Sequence, residues 1–322
     1  MHSPLELLKR IEQAITNTQY PTHPASLYEP ISYIMSLGGK RIRPTMLLMT
    51  VDLFEGDLSA GMPAALAIET FHNFTLLHDD IMDNAPLRRG RETVHEKWGT
   101  NTAILSGDVM MVEANKHLTN VDVSVLKPAL DTFNTTAQGV CEGQQLDMEF
   151  ETRDNVSIEE YIDMIRLKTA VLLGGAMKLG AIVSNVSGEQ AELIYQFGEN
   201  LGIAFQLQDD ILDVYGDPMK FGKQVGGDII SDKKTFLRLR LQELAAQEDL
   251  ALLNVQAMNA NTVNKIQVIR ELYDRYEIRN MASDKMKHYL NLAFGALDEI
   301  TAPTERKKEL IHIANQLMNR ES

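Results

Sequence analysis

The chain has 322 residues, of which 44% are hydrophobic and 24% charged, the composition of a globular protein with material for a large core. Its net charge of -14 and pI of about 5.0 argue against a surface built for nucleic acid or anionic membrane. The single cysteine, Cys141, excludes an internal disulfide, fits a reducing compartment and is expected to be a buried thiol. From the N-terminus, Leu5, Leu8, Ile11 and Ile15 are spaced like one face of an amphipathic helix, with Lys9, Arg10 and Glu12 among them. Breaks rich in Pro, Gly and Asn follow at 21–30, 55–63, 84–91, 184–189 and 216–227. The spacing of apolar residues between them predicts helices over 64–83, 101–118, 128–150, 158–182 and 189–214. The last 70 or so residues are more polar and predict outer helices, and strand-like alternation is almost absent. The breaks are too short to be interdomain linkers, so the expectation is an all-α chain forming a single domain over 1–322. No export signal is visible and no run approaches about 18 uncharged apolar residues, so a cytoplasmic protein without stable membrane association is expected.

Two short segments echo each other, LLHDDIMD at 76–83 and QLQDDILD at 206–213. In a helix, residues four apart share a face, so Asp79 and Asp83 project side by side with Asp80 flanking them, and Asp209, Asp210 and Asp213 repeat the arrangement. One such cluster is more often a solvated helix end. Two, each inside an apolar helix, need cations to offset their repulsion. Oxygen ligands without Cys or His select a hard ion, Mg2+ over Zn2+, and Mg2+ commonly bridges carboxylates to substrate phosphates. His78 precedes the first cluster but points off its face, and reads as packing.

Basic residues recur beside these clusters in an otherwise acidic chain. Lys40, Arg41 and Arg43 follow a glycine pair in GGKRIRP, and Arg88 and Arg89 follow Asp83 past Pro86. Lys168 and Thr169 sit in a long apolar helix, and Lys223, Lys233 and Lys234 follow the second cluster. Any one of these is more often a surface charge; their recurrence points to an anionic, phosphate-bearing substrate. Neither GxxxxGK[ST] nor GxGxxG is present, which argues against nucleotide-fold chemistry.

GGKRIRP, DDIMD with LRRGR, GQQLD, LKT, FQLQDDILD and GKQVGGDIISDK stand in the order found in the trans-isoprenyl diphosphate synthases, and the chain resembles that family from about residue 38 to 235. The resemblance implies an antiparallel helical bundle around a deep cavity, a homodimer, and condensation of isopentenyl diphosphate with an allylic diphosphate. It implies Mg2+ as cofactor, three ions with substrate bound, held by Asp79, Asp80 and Asp83 and by Asp209 and Asp210, with Asp213 supporting them. Lys40, Arg43, His72 and Arg89 resemble the isopentenyl diphosphate site. Arg88, Lys168, Lys223, Lys233 and Gln206 resemble the groups on the allylic diphosphate, with Lys233 preferred to Lys234 on a one-residue choice of spacing. Gln144 and Asp147 match positions that support the basic residues. Gln206, with Lys168 or Thr169, stands where a carbocation would be stabilised.

If diphosphate sits at Asp79, the growing tail runs back along the same helix, whose turns of about 5.4 Å match one isoprene unit. Phe74 and Thr75 lie one turn back and Phe71 two, with Met110 and Met111 on the next helix as further lining. One aromatic beside a small residue resembles an enzyme making a twenty-carbon product, with fifteen carbons the close alternative. A class I terpene cyclase also carries a DDxxD, but needs no second phosphate site and differs at the second metal motif. A non-catalytic subunit would have lost part of a cluster.

Overall fold

The computed structural model describes residues 2–217, 225–257 and 261–318. Ser3 and Glu6 form a reciprocal capping box that starts α1 (Pro4–Asn17). This helix buries Leu7, Ile11 and Ile15, while Leu5 is exposed and Leu8 half-buried, so the buried face is a strict four-residue stripe and not the one read from Leu5 and Leu8. Then come α2 (Ala25–Ser36), α3 (Ile42–Leu53), buried from Pro44 to Leu53, and α4 (Leu58–Met82), capped by Asp57. A helix buried on every side is core, and α1 and α4 both pack on α3.

Beyond α4 lies a hairpin of β1 (Leu87–Arg88) and β2 (Arg91–Glu92), paired Leu87 to Glu92 and Arg88 to Arg91. Its two turn residues, Arg89 and Gly90, are both left-handed, at φ 53° and 75°, the twist that lets two antiparallel strands close on two residues. The chain continues through α5 (Val94–Trp98), α6 (Thr100–Leu118), which lies along α4, α7 (Val123–Thr152) and α8 (Ile158–Ile165). The helix expected over 158–182 is interrupted: Arg166–Ala170 form a π turn, in which the Val171 N–H reaches back five residues to the Arg166 carbonyl, before α9 (Val171–Val183) resumes. The second aspartate helix is α10 (Gly188–Tyr215), and a short α11 (Gly227–Ile230) follows. The C-terminal part is helical over Phe236–Leu244, Gln247–Ala257, Thr262–Arg275, Ile278–Glu299 and Thr304–Met318. The all-α expectation holds, with strand confined to the hairpin among the described residues.

Contacts group the chain into two compact units. The first comprises 1–137, 175–195 and 300–309, and the second 138–174, 196–299 and 310–322. The first is centred on Met46, Leu47, Ile68, Phe71 and Phe133, the second on Ile165, Phe197, Leu201, Leu207 and Leu272, all at most 3% exposed. Among the described residues no helix is long and apolar enough to cross a membrane. Cys141 departs from expectation. It is exposed on α7, where its neighbours Val140 and Gly143 take the buried positions.

Candidate active site

In the first unit the GGKRIRP segment divides its arginines between structure and site. Gly38 and Gly39, at φ 73° and 137°, and Arg41, at φ 43°, turn the chain into α3. Arg41 is 3% exposed and spent internally: it donates to the Met35 carbonyl at 2.7 Å and to Glu12 at 2.9 Å, and pairs with Glu69. It is therefore not one of the donors offered to an anion. Arg43 instead meets His72, with Nη1 3.1 Å from Nε2. Burial, then the charges of Arg43, Arg89, Arg88 and Arg41, hold the His72 pKa well below its ordinary value, so the neutral ring accepts this bond through Nε2. The Arg89 guanidinium donates to the Gly38 carbonyl and lies so close over Gly39 that a Cβ there would fall 2.7 Å from it. Arg43, His72 and Arg89 are thus brought together, and Lys40 is exposed in the segment between Gly39 and Arg41.

The first aspartates end α4, and the peptide N–H of Asp83 closes the last turn on the Asp79 carbonyl at 2.9 Å. The middle aspartate, Asp80, is 2% exposed. Arg88, delivered by the hairpin, clamps it with Nε 2.9 and 2.8 Å from its two oxygens and Nη2 at 2.7 Å, and reaches Asp79 at 3.7 Å. A buried carboxylate held by a fork in this way is charge-compensated.

In the second unit, two glycines make room for the π turn. A Cβ at Gly143 would lie 2.2 Å from the Lys168 nitrogen, and one at Gly202 would lie 2.6 Å from the Ala170 Cα. These are backbone atoms of the turn, so α7 and α10 admit the wider turn only through glycine. The turn presents Lys168 and Thr169 to a cavity of about 100 Å³, lined also by Asp147, Tyr161, Gln206, Asp210, Asp228, Lys233 and Lys234. Lys168 Nζ is 2.5 Å from Asp147, and Thr169 Oγ1 donates to Gln206 Oε1 at 3.3 Å. The Gln206 amide donates to Asp210 Oδ1 at 3.3 Å, and the Tyr161 hydroxyl donates to Oδ2. Asp210 is 3% exposed; burial first, and then the Asp228 charge, push its pKa up to about 7, against the Tyr161 and Gln206 bonds and the Lys233 charge.

The remaining residues of the second motif divide in the same way. Asp213 accepts the Asp228 N–H at 3.0 Å, and its own carbonyl accepts the Gly226 N–H at 2.6 Å, so it ties down the entry to α11. Lys234 is committed to the end of α7, with Nζ 2.6 Å from the Phe150 carbonyl, whereas the Lys233 charge acts on Asp210. Asp209 is half-buried on α10, and Lys223 lies outside the described residues.

The tail-length residues sit along α4 and α6. Phe71 and Met110 are fully buried, Phe74 and Thr75 half-buried. Phe74 lies between Phe71, at 5.6 Å between ring centroids, and His78, at 4.7 Å, while Phe71 also meets Phe133 at 5.5 Å. His78 packs over Gly107 of α6, where a Cβ would lie 2.3 Å from its Nε2.

Both motifs offer oxygen alone, and among the described residues no three Asp, Glu, His or Cys side chains converge to enclose an ion. That set fits Mg2+, which keeps its waters and takes one or two carboxylates alongside substrate phosphates. The raised Asp210 pKa marks a carboxyl short of positive charge, which a divalent cation would supply.

Residues 24–275 match the Polyprenyl synthetase family. The chain belongs to that family. A geranylgeranyl diphosphate synthase of Methanosarcina mazei is 36% identical over 314 residues, covering 97% of this chain and 95% of that protein. One of Saccharolobus solfataricus is 37% identical over 305 residues, covering 92% and 90%. A crystal structure of a geranylgeranyl pyrophosphate synthase superposes with a TM-score of 0.95 at 42% identity, covering both chains entirely. Within this polyprenyl synthetase, sequence reasoning passed over Tyr161 and Asp228, and misread Arg41. Tyr161 stands in the apolar stripe of α8 and reads as core; Asp228 had a signal in the glycine pair before it, which marks a backbone folded tightly onto something.

Proposed function

We propose that this chain is a geranylgeranyl diphosphate synthase, which joins isopentenyl diphosphate to an allylic diphosphate and yields a twenty-carbon product. What carries the reading is the pair of separate anion-binding groups: Arg43, His72 and Arg89 in one unit, and Lys168 and Lys233 beside an aspartate cluster in the other. Two diphosphate substrates need two such groups, and a cyclase needs one. Family membership and relatives that are geranylgeranyl diphosphate synthases support the same reading.

In this scheme Arg43 and Arg89 bind the isopentenyl diphosphate with Lys40, and His72 holds the Arg43 fork in place. Arg88, Lys168, Lys223 and Lys233 bind the allylic diphosphate and neutralise the charge that grows on it as the C–O bond breaks. Asp79, Asp80, Asp83, Asp209 and Asp210 would hold Mg2+, supported by Asp213, and the metal would supply further charge neutralisation for the leaving diphosphate. Gln206, with Lys168 or Thr169, stabilises the cation that remains. The isopentenyl double bond attacks that cation and a proton is then lost; the departed diphosphate is a sufficient base. Phe74 closes the tail cavity and Thr75 leaves a gap beside it, which favours twenty carbons over fifteen. A single functional domain over 1–322, cytoplasmic residence and a homodimer complete the reading.

The test is a product assay with isopentenyl diphosphate and dimethylallyl, geranyl or farnesyl diphosphate, with and without Mg2+, sized by mass spectrometry. Metal-dependent extension to twenty carbons is expected. A hydrocarbon product would indicate cyclisation, and no extension of any substrate would overturn the reading. Phe74→Ala should lengthen the product; an unchanged length moves the floor to Phe71 or Met110.

A further inference from the structure

Tyr161 belongs to none of the groups assigned above, yet it ends a continuous chain of hydrogen bonds through them. Its side chain is 2% exposed on α8, and its hydroxyl donates to Asp210 Oδ2. The other Asp210 oxygen accepts from the Gln206 amide at 3.3 Å, and Gln206 Oε1 accepts from the Thr169 hydroxyl at 3.3 Å. Each link fixes the next. The phenol engages Oδ2 and the Gln206 NH2 engages Oδ1, and an amide with its NH2 on Asp210 has its carbonyl turned to Thr169. An ionised carboxylate accepts bonds and never donates, so donation converges on Asp210, from Tyr161 on one side and from Thr169 through Gln206 on the other. Three elements contribute, α8, the π turn and α10, all within the second compact unit.

We propose that Tyr161 is a positioning residue: its hydroxyl fixes the orientation of the Asp210 carboxylate toward metal and, through Gln206, the orientation of the Thr169 hydroxyl. The inference rests on the reading of Asp210 as a magnesium ligand. Without the phenol, the buried carboxylate loses the partner that sets its rotation, and productive coordination becomes one orientation among several. Apparent metal affinity then falls by about the tenfold or more typical of a lost outer hydrogen bond. The isopentenyl diphosphate residues belong to the other unit.

The test compares wild type with Tyr161→Phe, which keeps the ring and its packing. Thermal unfolding is followed against Mg2+ concentration at fixed inorganic pyrophosphate, a readout independent of turnover. The Phe variant should need about tenfold more Mg2+ for half of the stabilisation, with the KM for isopentenyl diphosphate unchanged. A merely structural tyrosine would lower the melting temperature while leaving the Mg2+ midpoint in place, and that result overturns the assignment. Tyr161→His, which retains a ring with a donor, should fall between the two; a midpoint at or beyond that of the Phe variant also counts against it. A wild-type protein that gains no stability from Mg2+ with pyrophosphate removes the metal reading of Asp210, and the inference with it.

Discussion

The two aspartate motifs are spelled almost alike and solved differently. In each, the middle carboxylate is buried, Asp80 at 2% and Asp210 at 3% exposure. Asp80 is compensated by a full positive charge, the forked Arg88. Asp210 is met by neutral donors, a phenol and an amide, and its pKa is pushed up to about 7. The five-residue spelling fixes which face the carboxylates share. It does not fix what answers their charge, because that comes from a hairpin in one case and, in the other, from a separate helix together with an amide one turn back on the same helix. Asp80 has its counter-charge in direct contact, whereas at Asp210 burial and the Asp228 charge outweigh the two neutral donors and the Lys233 charge.

The largest effect expected is on chemistry. Asp79→Ala and Asp209→Ala should each lower turnover by about 10³-fold or more, as loss of charge stabilisation in a preorganised site does, with the far-ultraviolet circular dichroism unchanged. Near wild-type turnover in either would remove that cluster from the metal site. The comparison itself is sharpened by stability. Arg88→Leu strands a buried carboxylate without its fork, and urea unfolding should show a loss of about 2–4 kcal/mol, discounted because Arg88 is partly exposed. Tyr161→Phe removes only a neutral donor and should cost about 1–2 kcal/mol. If the two losses came out equal, the contrast between charged and neutral compensation would fail.

Much of this was legible in the sequence because helices announce themselves locally. The apolar spacing located α4, α6, α7 and α10 to within a few residues at most ends, and the paired aspartates stood on them as a three-and-four periodicity requires. What was missed depends on partners distant in sequence. Arg41 looks like Arg43 until Glu12 and Glu69 are seen to bury it. The π turn at 166–170 has no composition signal of its own, since it exists because Gly143 and Gly202 leave space from other helices. Tyr161 reads as core because burial and hydrogen bonding to Asp210 coincide at one side chain.

The smallest effect is the most specific to the second motif. An Asp whose folded pKa is about 7, against an ordinary value of 3.8, binds its proton more tightly folded than unfolded. Between those values the native state therefore carries more protons, and stability falls as pH rises. The contribution is present below about pH 4 and lost progressively toward pH 7, with a slope of at most about 1.4 kcal/mol per pH unit. Urea unfolding at half-unit steps from pH 5 to 8 should show that decline in the wild-type protein and a flatter profile in Asp210→Asn, whose side chain does not titrate. Mg2+ with pyrophosphate should flatten the wild-type profile as well, because a bound cation favours the ionised carboxyl. Superimposable slopes for the two proteins would mean that Asp210 is already ionised across this range. Its neutral donors would then compensate it as well as Arg88 compensates Asp80, and the difference between the motifs would lie in geometry alone.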